Sequence, residues 1–373
     1  MTEKYVFQTY ARQPIVIVGG RGAVVRDIDG REYIDCVAGI AVNNVGHCHP
    51  KVVSAIKKQA ELLIHTSNMY HTEPQALLAE KIVEITPMDR VFFCNSGTEA
   101  VEAALKLARR ASGKTDFIAT HGSFHGRSLG ALSVTFNEKY RKPFEPLMPG
   151  VTFVPYDDAD AIGDAITPKT AAVILESIQG ESGVRVPSDN YLKTVRDVCD
   201  DRNTLLIIDE VQTGFGRTGK WFGFEHWGME PDIMAMAKAL GGGFPIGAMA
   251  AREEIAQKFQ RGDHASTFGG SPLACAAALG TISALEDGLV KQSEKLGGYF
   301  IKRLKELKHD YIREVRGKGL MIGMELNMNG DIIVDKARGD GVLLNCISDT
   351  VLRFVPPLVI TREQIDRVVE VLG

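Results

Sequence analysis

Short apolar strings alternate with helical stretches through the middle of this chain, and this alternation constrains the fold more than any other feature. From position 91 onward, strings rich in β-branched and aromatic residues recur at 91–95, 116–120, 151–156, 171–177, 205–210 and 232–237. Helical patterns separate several of them, for example at 98–112 and 190–202. Because strand–helix alternation implies right-handed crossovers, we predict an α/β domain with a mostly parallel sheet.

The two ends of the chain have a different pattern from the middle. Residues 14–35 contain Gly-Gly, Arg-Gly and Asp-Gly turn signals between extended pieces, which predicts a small antiparallel element. Two long helical patterns follow at 272–308, and residues 311–373 mix strands with a closing helix after Thr361, a candidate N-cap. We therefore predict a smaller α+β unit beside the α/β domain.

The composition favours small molecules over nucleic acid or membranes as partners. Lys and Arg total 43 against 47 Asp and Glu, a net charge of -4, so there is no basic field that would attract polyanions. The six cysteines are scattered without a CxxC pair, which fits a reducing compartment. We expect no leader, no apolar run near the roughly 18 residues of a membrane span, and a cytoplasmic protein.

Ligands of parallel sheets bind at the carboxyl ends of the strands, and two of these ends carry polar residues of particular interest. The string Asn-Ser-Gly-Thr-Glu at 95–99 enters a helix directly, so its hydroxyl and backbone N–H groups could bind a phosphate, although a simple helix cap would look the same. Asp209 ends a strongly apolar strand and requires a cationic partner there, such as a protonated ring nitrogen or a metal, unless it caps a loop.

Two further strand ends suggest a reactive amine and a carboxylate clamp. Lys238 follows an apolar strand and precedes three glycines, where its amine could be partly desolvated, or could lie exposed beside a flexible loop. The segment 121–127 offers an aromatic face, histidines and an arginine. A metal site at His121, His125 and the 47–49 segment is disfavoured because the spacing of typical zinc ligands is absent, and we expect no metal.

Taken together, these features resemble the fold type I pyridoxal 5′-phosphate enzymes, specifically the class III (subgroup II) aminotransferases. The resemblance runs from about Arg12 to Val371 and includes FFCNSGTEAVEAALKLAR, HGSFHGRSLGALS, ESIQGESGV, IIDEVQTGFGRTGKWFGFEHWGMEPDI, KALGGGFPIGAM and STFGGSPLACAAAL. It implies a large cofactor-binding domain at 49–275 with a mostly parallel seven-stranded sheet between helices. The small α+β domain would be built from both termini, 1–48 and 276–373.

The resemblance also implies how pyridoxal 5′-phosphate would be bound. Lys238 would carry the cofactor covalently and act as general base, and Asp209 would keep the pyridine nitrogen protonated. Phe124 and Val211 would sandwich the ring, with Gln212 reaching the 3′-oxygen. The other cofactor-binding residues that it implies are Ser96, Gly97 and Thr98 around the phosphate, Glu210 beside Asp209, and Thr267, which would complete the neighbouring site in a homodimer.

Substrate binding is likewise assigned by the resemblance, which is greatest to the family members that use acetylornithine in arginine biosynthesis. Arg127 would clamp a substrate carboxylate, and Arg353 would clamp the α-carboxylate of 2-oxoglutarate or glutamate. Glu181 would neutralise Arg353 and swing away when glutamate binds, and Ser266 would lie near the substrate. An ordinary surface ion pair is the alternative for Glu181 and Arg353.

The expected reaction is a ping-pong transfer of the δ-amino group of N2-acetylornithine to 2-oxoglutarate, giving N-acetylglutamate 5-semialdehyde and glutamate. The same residues also suit ornithine, acetyllysine, succinylornithine or 4-aminobutyrate as donors. An aminomutase or a dialkylglycine decarboxylase is disfavoured because a pair such as Glu181 and Arg353 serves external glutamate. The chain departs from the usual family string at Ser177, where proline is common.

Overall fold

Three sheets organise the structure, a computed structural model that describes residues 2–373. A seven-stranded sheet has the order β4-β10-β9-β8-β7-β5-β6, and two four-stranded sheets have the orders β1-β2-β3-β13 and β11-β12-β15-β14. The strands are β1 (Ile17–Arg21), β2 (Val24–Asp27), β3 (Glu32–Asp35), β4 (Arg90–Cys94), β5 (Asp116–Thr120), β6 (Val151–Val154), β7 (Thr170–Glu176), β8 (Leu205–Asp209), β9 (Ile233–Met236), β10 (Gly247–Ala251), β11 (Ile312–Lys318), β12 (Met321–Leu326), β13 (Val342–Leu343), β14 (Asn345–Ile347) and β15 (Val351–Phe354).

Helices cover the sheets and connect their strands. Several of the helices are single turns, and the longest have 16 residues. They are α1 (Thr2–Tyr5), α2 (Ala38–Ala41), α3 (Pro50–Leu62), α4 (Glu73–Glu84), α5 (Gly97–Ser112), α6 (Leu129–Ser133), α7 (Glu138–Arg141), α8 (Ala159–Ala165), α9 (Tyr191–Asp201), α10 (Glu253–Ala256), α11 (Pro272–Ala284), α12 (Val290–Lys305), α13 (Asp331–Gly339) and α14 (Arg362–Leu372).

The predicted α/β architecture is confirmed. The strands β6, β5, β7, β8 and β9 are parallel, each within a residue or two of an apolar string in the sequence. β7 is buried along its whole length, as expected for a central strand covered on both faces. β10 is the exception to the parallel pattern, since it inserts antiparallel between β4 and β9. The sheet is therefore mostly, but not wholly, parallel.

The ends of the chain form the two smaller sheets. β1, β2 and β3 are antiparallel, as the turn signals predict, and β3 also pairs in parallel with β13 from the other end of the chain. The closing helix α14 begins after Thr361, whose hydroxyl accepts a hydrogen bond from the N–H of Gln364 at 3.2 Å. The domain boundaries at 48 and 275 remain a prediction.

One helical run qualifies as a membrane span by length and composition alone. It is continuous from Pro272 to Lys305, so the expectation that no segment approaches that length does not hold on this measure. Nearly all of its first part, α11, is buried within the protein against α3 and α4. Core helices of folded domains commonly pass the same test, because a helix that is apolar all round is also suited to a protein interior.

A fully buried arginine joins three separated parts of the chain. Arg217 Nη1 donates to the carbonyl oxygens of Leu320 at 2.8 Å and Pro356 at 2.6 Å, and its Nη2 donates to the side-chain oxygen of Asn44. Burial lowers the pKa of this guanidinium to about 9. Its direct contacts are with neutral oxygens, so hydrogen bonds stabilise the charge, and the nearby carboxylate of Asp35 contributes to the same effect.

We predict that Arg217→Lys lowers the free energy of unfolding by about 2 kcal/mol or more, because an ammonium group cannot reach all three acceptors and remains buried. Denaturant-induced unfolding of the purified protein measures the change. Arg313→Lys, at an exposed position of β11, is the control and should stay within about 0.5 kcal/mol of the parent. Equal stability of the Arg217 and Arg313 variants would contradict the role given to Arg217.

Candidate active site

A cavity of about 460 Å³ lies at the carboxyl ends of the central strands. It is surrounded by segments that follow β4, β5, β8 and β9, the strand ends that the sequence singles out. Most of the predicted cofactor residues line it, together with one predicted substrate residue: Ser96, Gly97, Thr98, Phe124, Arg127, Asp209, Val211, Gln212 and Lys238. Residues far apart in the sequence are thus brought to a single cavity.

The N-terminus of α5 forms one end of this cavity. Ser96 is the N-cap, and its hydroxyl accepts a hydrogen bond from the N–H of Glu99 at 3.4 Å. Gly97 and Thr98 begin the helix, so their N–H groups have no acceptor within it. A Cβ on Gly97 would lie 2.7 Å from a methyl group of Val211, so a side chain at this position would collide with the cavity wall. This arrangement suits an anionic group such as a phosphate.

Asp209 is nearly inaccessible to solvent and is held by a histidine. Its Oδ2 lies 2.8 Å from Nδ1 of His125, and its Oδ1 accepts a hydrogen bond from the N–H of Val211 at 3.0 Å. His125 is the partner that sequence reasoning missed, since it was considered only as a metal ligand. No group of three metal-ligating side chains occurs among residues 2–373. The contact joins residues 84 positions apart, and the local sequence carries no signal for it.

Lys238 lies in a strained position directly after β9. It begins a short 3₁₀ turn with a φ of 42°, in the left-handed region that a non-glycine residue rarely adopts. Burial lowers the pKa of its amine to about 8, while the nearby carboxylate of Glu181 acts in the opposite direction. A larger fraction of this amine is therefore neutral near physiological pH than in an exposed lysine, as a nucleophile or general base requires.

A buried ion pair lies beside the cavity. Nη1 of Arg353, on β15, lies 2.6 Å from Oε1 of Glu181 and 3.3 Å from Oε1 of Gln212. Although burial alone would raise the pKa of Glu181, attraction to Arg353 outweighs it, and the net shift is downward. Glu181 and Arg353 do not line the cavity themselves, but Gln212, which does, contacts both. The alternative of an ordinary surface pair is excluded, because the Arg353 side chain is 1% exposed.

Arg127 is an exposed residue of the cavity lining. Its guanidinium lies 3.4 Å from the ring centroid of Tyr140 and 5.6 Å from that of Phe124. Stacking on Tyr140 fixes the plane of the guanidinium, which suits the bidentate binding of a carboxylate. Tyr140 follows the site motif by more than ten residues, and the sequence analysis did not select it.

Besides Glu181 and Arg353, three predicted residues lie away from the cavity lining. Glu210 is buried elsewhere: its carboxylate accepts hydrogen bonds from the N–H groups of Gly223 at 2.8 Å and Phe224 at 2.9 Å. Both of its oxygens are thus used within the protein, and its assignment to the cofactor site stays a prediction. Ser266 approaches the cavity through Asn95, with 3.2 Å between its Oγ and Asn95 Nδ2. Thr267 is exposed on the surface.

Sequence reasoning also missed several residues of the cavity wall. The most notable is Glu176, the last residue of β7, whose pKa burial raises to about 7. The strand-end rule could have found it, since it is the charged residue just before the end of the string 171–177. The other unpredicted lining residues are mainly apolar or glycine: Val42, Asn95, Gly126, Ala237, Gly243, Phe244, Pro245 and Ile246.

The residues present fit pyridoxal 5′-phosphate, the cofactor that the sequence suggests. The helix N-terminus at Gly97 and Thr98 suits its phosphate, and the buried carboxylate of Asp209 suits a protonated ring nitrogen. Phe124 and Val211 supply apolar surface for the ring, and the amine of Lys238 lies in the same cavity. These residues therefore suit the phosphate, the ring nitrogen, the ring faces and the aldehyde of the cofactor.

Comparisons with known proteins agree with this site. The family model described as "Aminotransferase class-III" matches residues 6–373. The acetylornithine aminotransferase of Methanosarcina mazei is 64% identical to the chain, and the match covers 99% of this chain and 93% of that protein. The acetylornithine aminotransferase of Methanocaldococcus jannaschii is 54% identical, and the match covers 100% of this chain and 96% of that protein.

Solved structures of similar enzymes have the same fold. An ornithine aminotransferase from Toxoplasma gondii superposes with a TM-score of 0.97 at 37% identity, covering 100% of this chain and 92% of its own. A second structure of that enzyme is described as having partial occupancy of PLP at the active site. An acetylornithine aminotransferase from Elizabethkingia anophelis has a TM-score of 0.90 at 34% identity, and the match covers 100% of this chain and 96% of that one. The chain therefore belongs to the class-III aminotransferases, which use pyridoxal 5′-phosphate.

Proposed function

We propose that this enzyme transfers the δ-amino group of N2-acetylornithine to 2-oxoglutarate in two half-reactions, giving N-acetylglutamate 5-semialdehyde and glutamate. The observation that carries the proposal is the contact of 2.6 Å between the buried Arg353 and the partly exposed Glu181, whose charge also acts on the amine of Lys238. Support also comes from relatives named acetylornithine aminotransferase at 46–64% identity over nearly the whole chain.

The two substrates differ in charge next to the reacting carbon. Glutamate has a carboxylate there, which Arg353 can bind bidentately. Acetylornithine has only methylene groups beside its δ-amine, so an unpaired Arg353 would be left as an uncompensated buried charge. Glu181 supplies the missing anion in that half-reaction and moves aside in the other. Arg127, an exposed residue of the cavity lining, clamps the remaining carboxylate of each substrate.

The chain's own residues position and move protons. When bound, pyridoxal 5′-phosphate supplies an electron sink and carries the amino group from one substrate to the other. The Nζ of Lys238, once free, would take a proton from the carbon that bears the amino group of the donor in the first half-reaction, and would give a proton to the corresponding carbon of 2-oxoglutarate in the second. Asp209, oriented by His125, would face the ring nitrogen. Gly97 and Thr98 bind the phosphate, with the Thr98 hydroxyl oriented by its contact with Ser128 at 2.6 Å.

We also propose that the enzyme is a homodimer in which Thr267 completes the neighbouring site. Thr267 is exposed, and the adjacent Phe268 has 61% of its surface exposed despite being aromatic. More exposed apolar side chains lie on a distant segment of the chain that contacts this loop through His65 and Asn68, including Leu62 at 70% and Met69 at 83%. Exposed apolar residues in this number are typical of a surface that a partner covers, and a two-fold axis would bring the same loop of each subunit to the other.

Arginine biosynthesis and a cytoplasmic location follow from the same proposal. The acetyl group on the donor protects the α-amine, so the semialdehyde product cannot cyclise onto that amine. The six cysteines are all free within residues 2–373, as expected in a reducing compartment. Ornithine is the second candidate donor, because structures of ornithine aminotransferases superpose closely on this chain.

We predict that acetylornithine converts the enzyme-bound cofactor with the highest second-order rate constant among single donors. Stopped-flow absorbance without 2-oxoglutarate, using acetylornithine, ornithine, acetyllysine and 4-aminobutyrate, measures the half-reaction. Lys238→Ala is the control and should show no conversion and no absorbance of a lysine-bound cofactor. If ornithine or 4-aminobutyrate reacts tenfold faster, a preference of about 1.4 kcal/mol, the substrate proposed here is wrong.

The titration of Lys238 gives a second test. In the cofactor-free protein we expect its reaction with an acylating reagent to fall about tenfold per pH unit below 8 and to level off above it, since only the neutral amine attacks. Mass spectrometry of the peptide that contains position 238 measures the rate, with Lys238→Ala as the blank. A rate that keeps rising to pH 10 would refute the effect of burial on this amine.

Glu181→Ala tests the charge exchange at Arg353. We expect the acetylornithine half-reaction to slow about tenfold more than the glutamate half-reaction, because only the former needs an anion beside Arg353. Glu286→Ala is the control: this glutamate forms an exposed ion pair with Lys81, away from the cavity. Equal losses in the two half-reactions would remove the role proposed for Glu181.

A further inference from the structure

Glu176 is a buried carboxylate in the cavity wall that the mechanism above does not use. It ends β7, is 5% exposed, and lies opposite Asp209 in the parallel register of β7 and β8. The two carboxylates thus lie side by side at the carboxyl edge of the sheet. A buried charge at this position is costly unless it is hydrogen-bonded, so its contacts indicate what it does.

Each oxygen of Glu176 accepts a hydrogen bond from a different loop. Oε1 accepts from the N–H of Phe124 at 2.9 Å, and Oε2 accepts from the N–H of Gly180 at 3.0 Å. Phe124 belongs to the loop after β5 that presents the aromatic ring to the cavity. Gly180 directly precedes Glu181. A single side chain therefore joins the loop that contacts the cofactor to the segment that carries the movable carboxylate.

The Gly180 segment is packed too closely to adjust independently. A Cβ on Gly180 would lie 2.3 Å from the side-chain oxygen of Gln212, so its backbone rests directly on the residue that also contacts Arg353. The carbonyl oxygen of Gly180 lies 3.5 Å from Nη1 of Arg353. A shift of Gly180 therefore changes the surroundings of Arg353 and of Glu181 together.

We propose that Glu176 is a positioning residue that holds the Phe124 loop and the Gly180–Glu181 segment in one arrangement, and that it thereby sets the relative rates of the two half-reactions. The kinetic part of this inference rests on the proposed function. The structural part depends only on the two N–H contacts. Only a carboxylate serves both, because the amide of glutamine has one oxygen and a nitrogen that cannot accept.

The structural part is tested on the cofactor-free protein by hydrogen exchange. In Glu176→Gln we expect the amides of segments 121–127 and 178–184 to exchange about tenfold faster or more, as the loss of a hydrogen bond to a charged group predicts. Asp232→Asn is the matched control. Asp232 is also buried and accepts from a backbone N–H, that of Leu206 at 2.7 Å, but at the opposite end of the sheet. Unchanged exchange in both segments, or the same change in the control, overturns the proposal.

The kinetic part is tested on the holoenzyme by the ratio of the two half-reaction rate constants, with acetylornithine and with glutamate. We expect Glu176→Gln to change this ratio at least about threefold, whereas Asp232→Asn should leave it unchanged. Glu176→Asp, which keeps the charge but is one methylene shorter, is measured in parallel in case the glutamine variant does not accumulate, and the same changes are expected. A parallel loss of both rates would reduce Glu176 to a structural residue. Failure of acetylornithine with the parent enzyme would instead refute the proposed function and leave the exchange result standing.

Discussion

Parallel pairing of β7 with β8 determines where this protein can do chemistry. In that register the two strands end together, so Glu176 and Asp209 meet at one edge of the sheet. The loops that follow the neighbouring strands then deliver Phe124, Lys238 and the N-terminus of α5 to the same edge. A shift by one residue would turn every side chain of a strand to the opposite face. Every catalytic distance therefore depends on a register that the apolar core of the sheet maintains.

Several charged groups of the site lie beside a specific partner. His125 lies against Asp209, and Glu181 lies against Arg353 while also influencing Lys238. In the proposed reaction the carboxylate of glutamate replaces Glu181 beside Arg353, so the net charge of the buried site stays constant in both half-reactions. Constant charge avoids the cost of an unpaired ion in either bound state. The carboxylates near Lys238 offset only part of the effect of burial, so the pKa of its amine stays below the usual value and more of the amine is neutral and reactive.

Features set by local pattern were predictable, and features set by contacts between distant segments were not. The central strands, α5 and the roles of the ends of β4 and β8 follow from periodicity and from the position of polar residues after apolar strings. β10 was missed because its sequence, GAMAA, contains no β-branched or aromatic residue, and its neighbours in the sheet define it. The resemblance implies Glu210 as a cofactor-binding residue, whereas its hydrogen-bond partners Gly223 and Phe224 come from a later loop that the local sequence does not indicate. The contact of His125 with Asp209 likewise depends on the fold alone.

Pairing between β3 and β13 has a consequence for how the chain is made. The first sheet is completed only when Val342 reaches Ile34, and the backbone of Cys36 is held by Leu343 and Val355. A nascent chain exposes the open edge of β3 until almost all of its residues have left the ribosome. Val42, a few residues beyond that edge, forms part of the cavity wall. The sheet next to this part of the cavity wall is therefore completed only late in synthesis, and until then the unpaired edge of β3 is open to pairing with another chain.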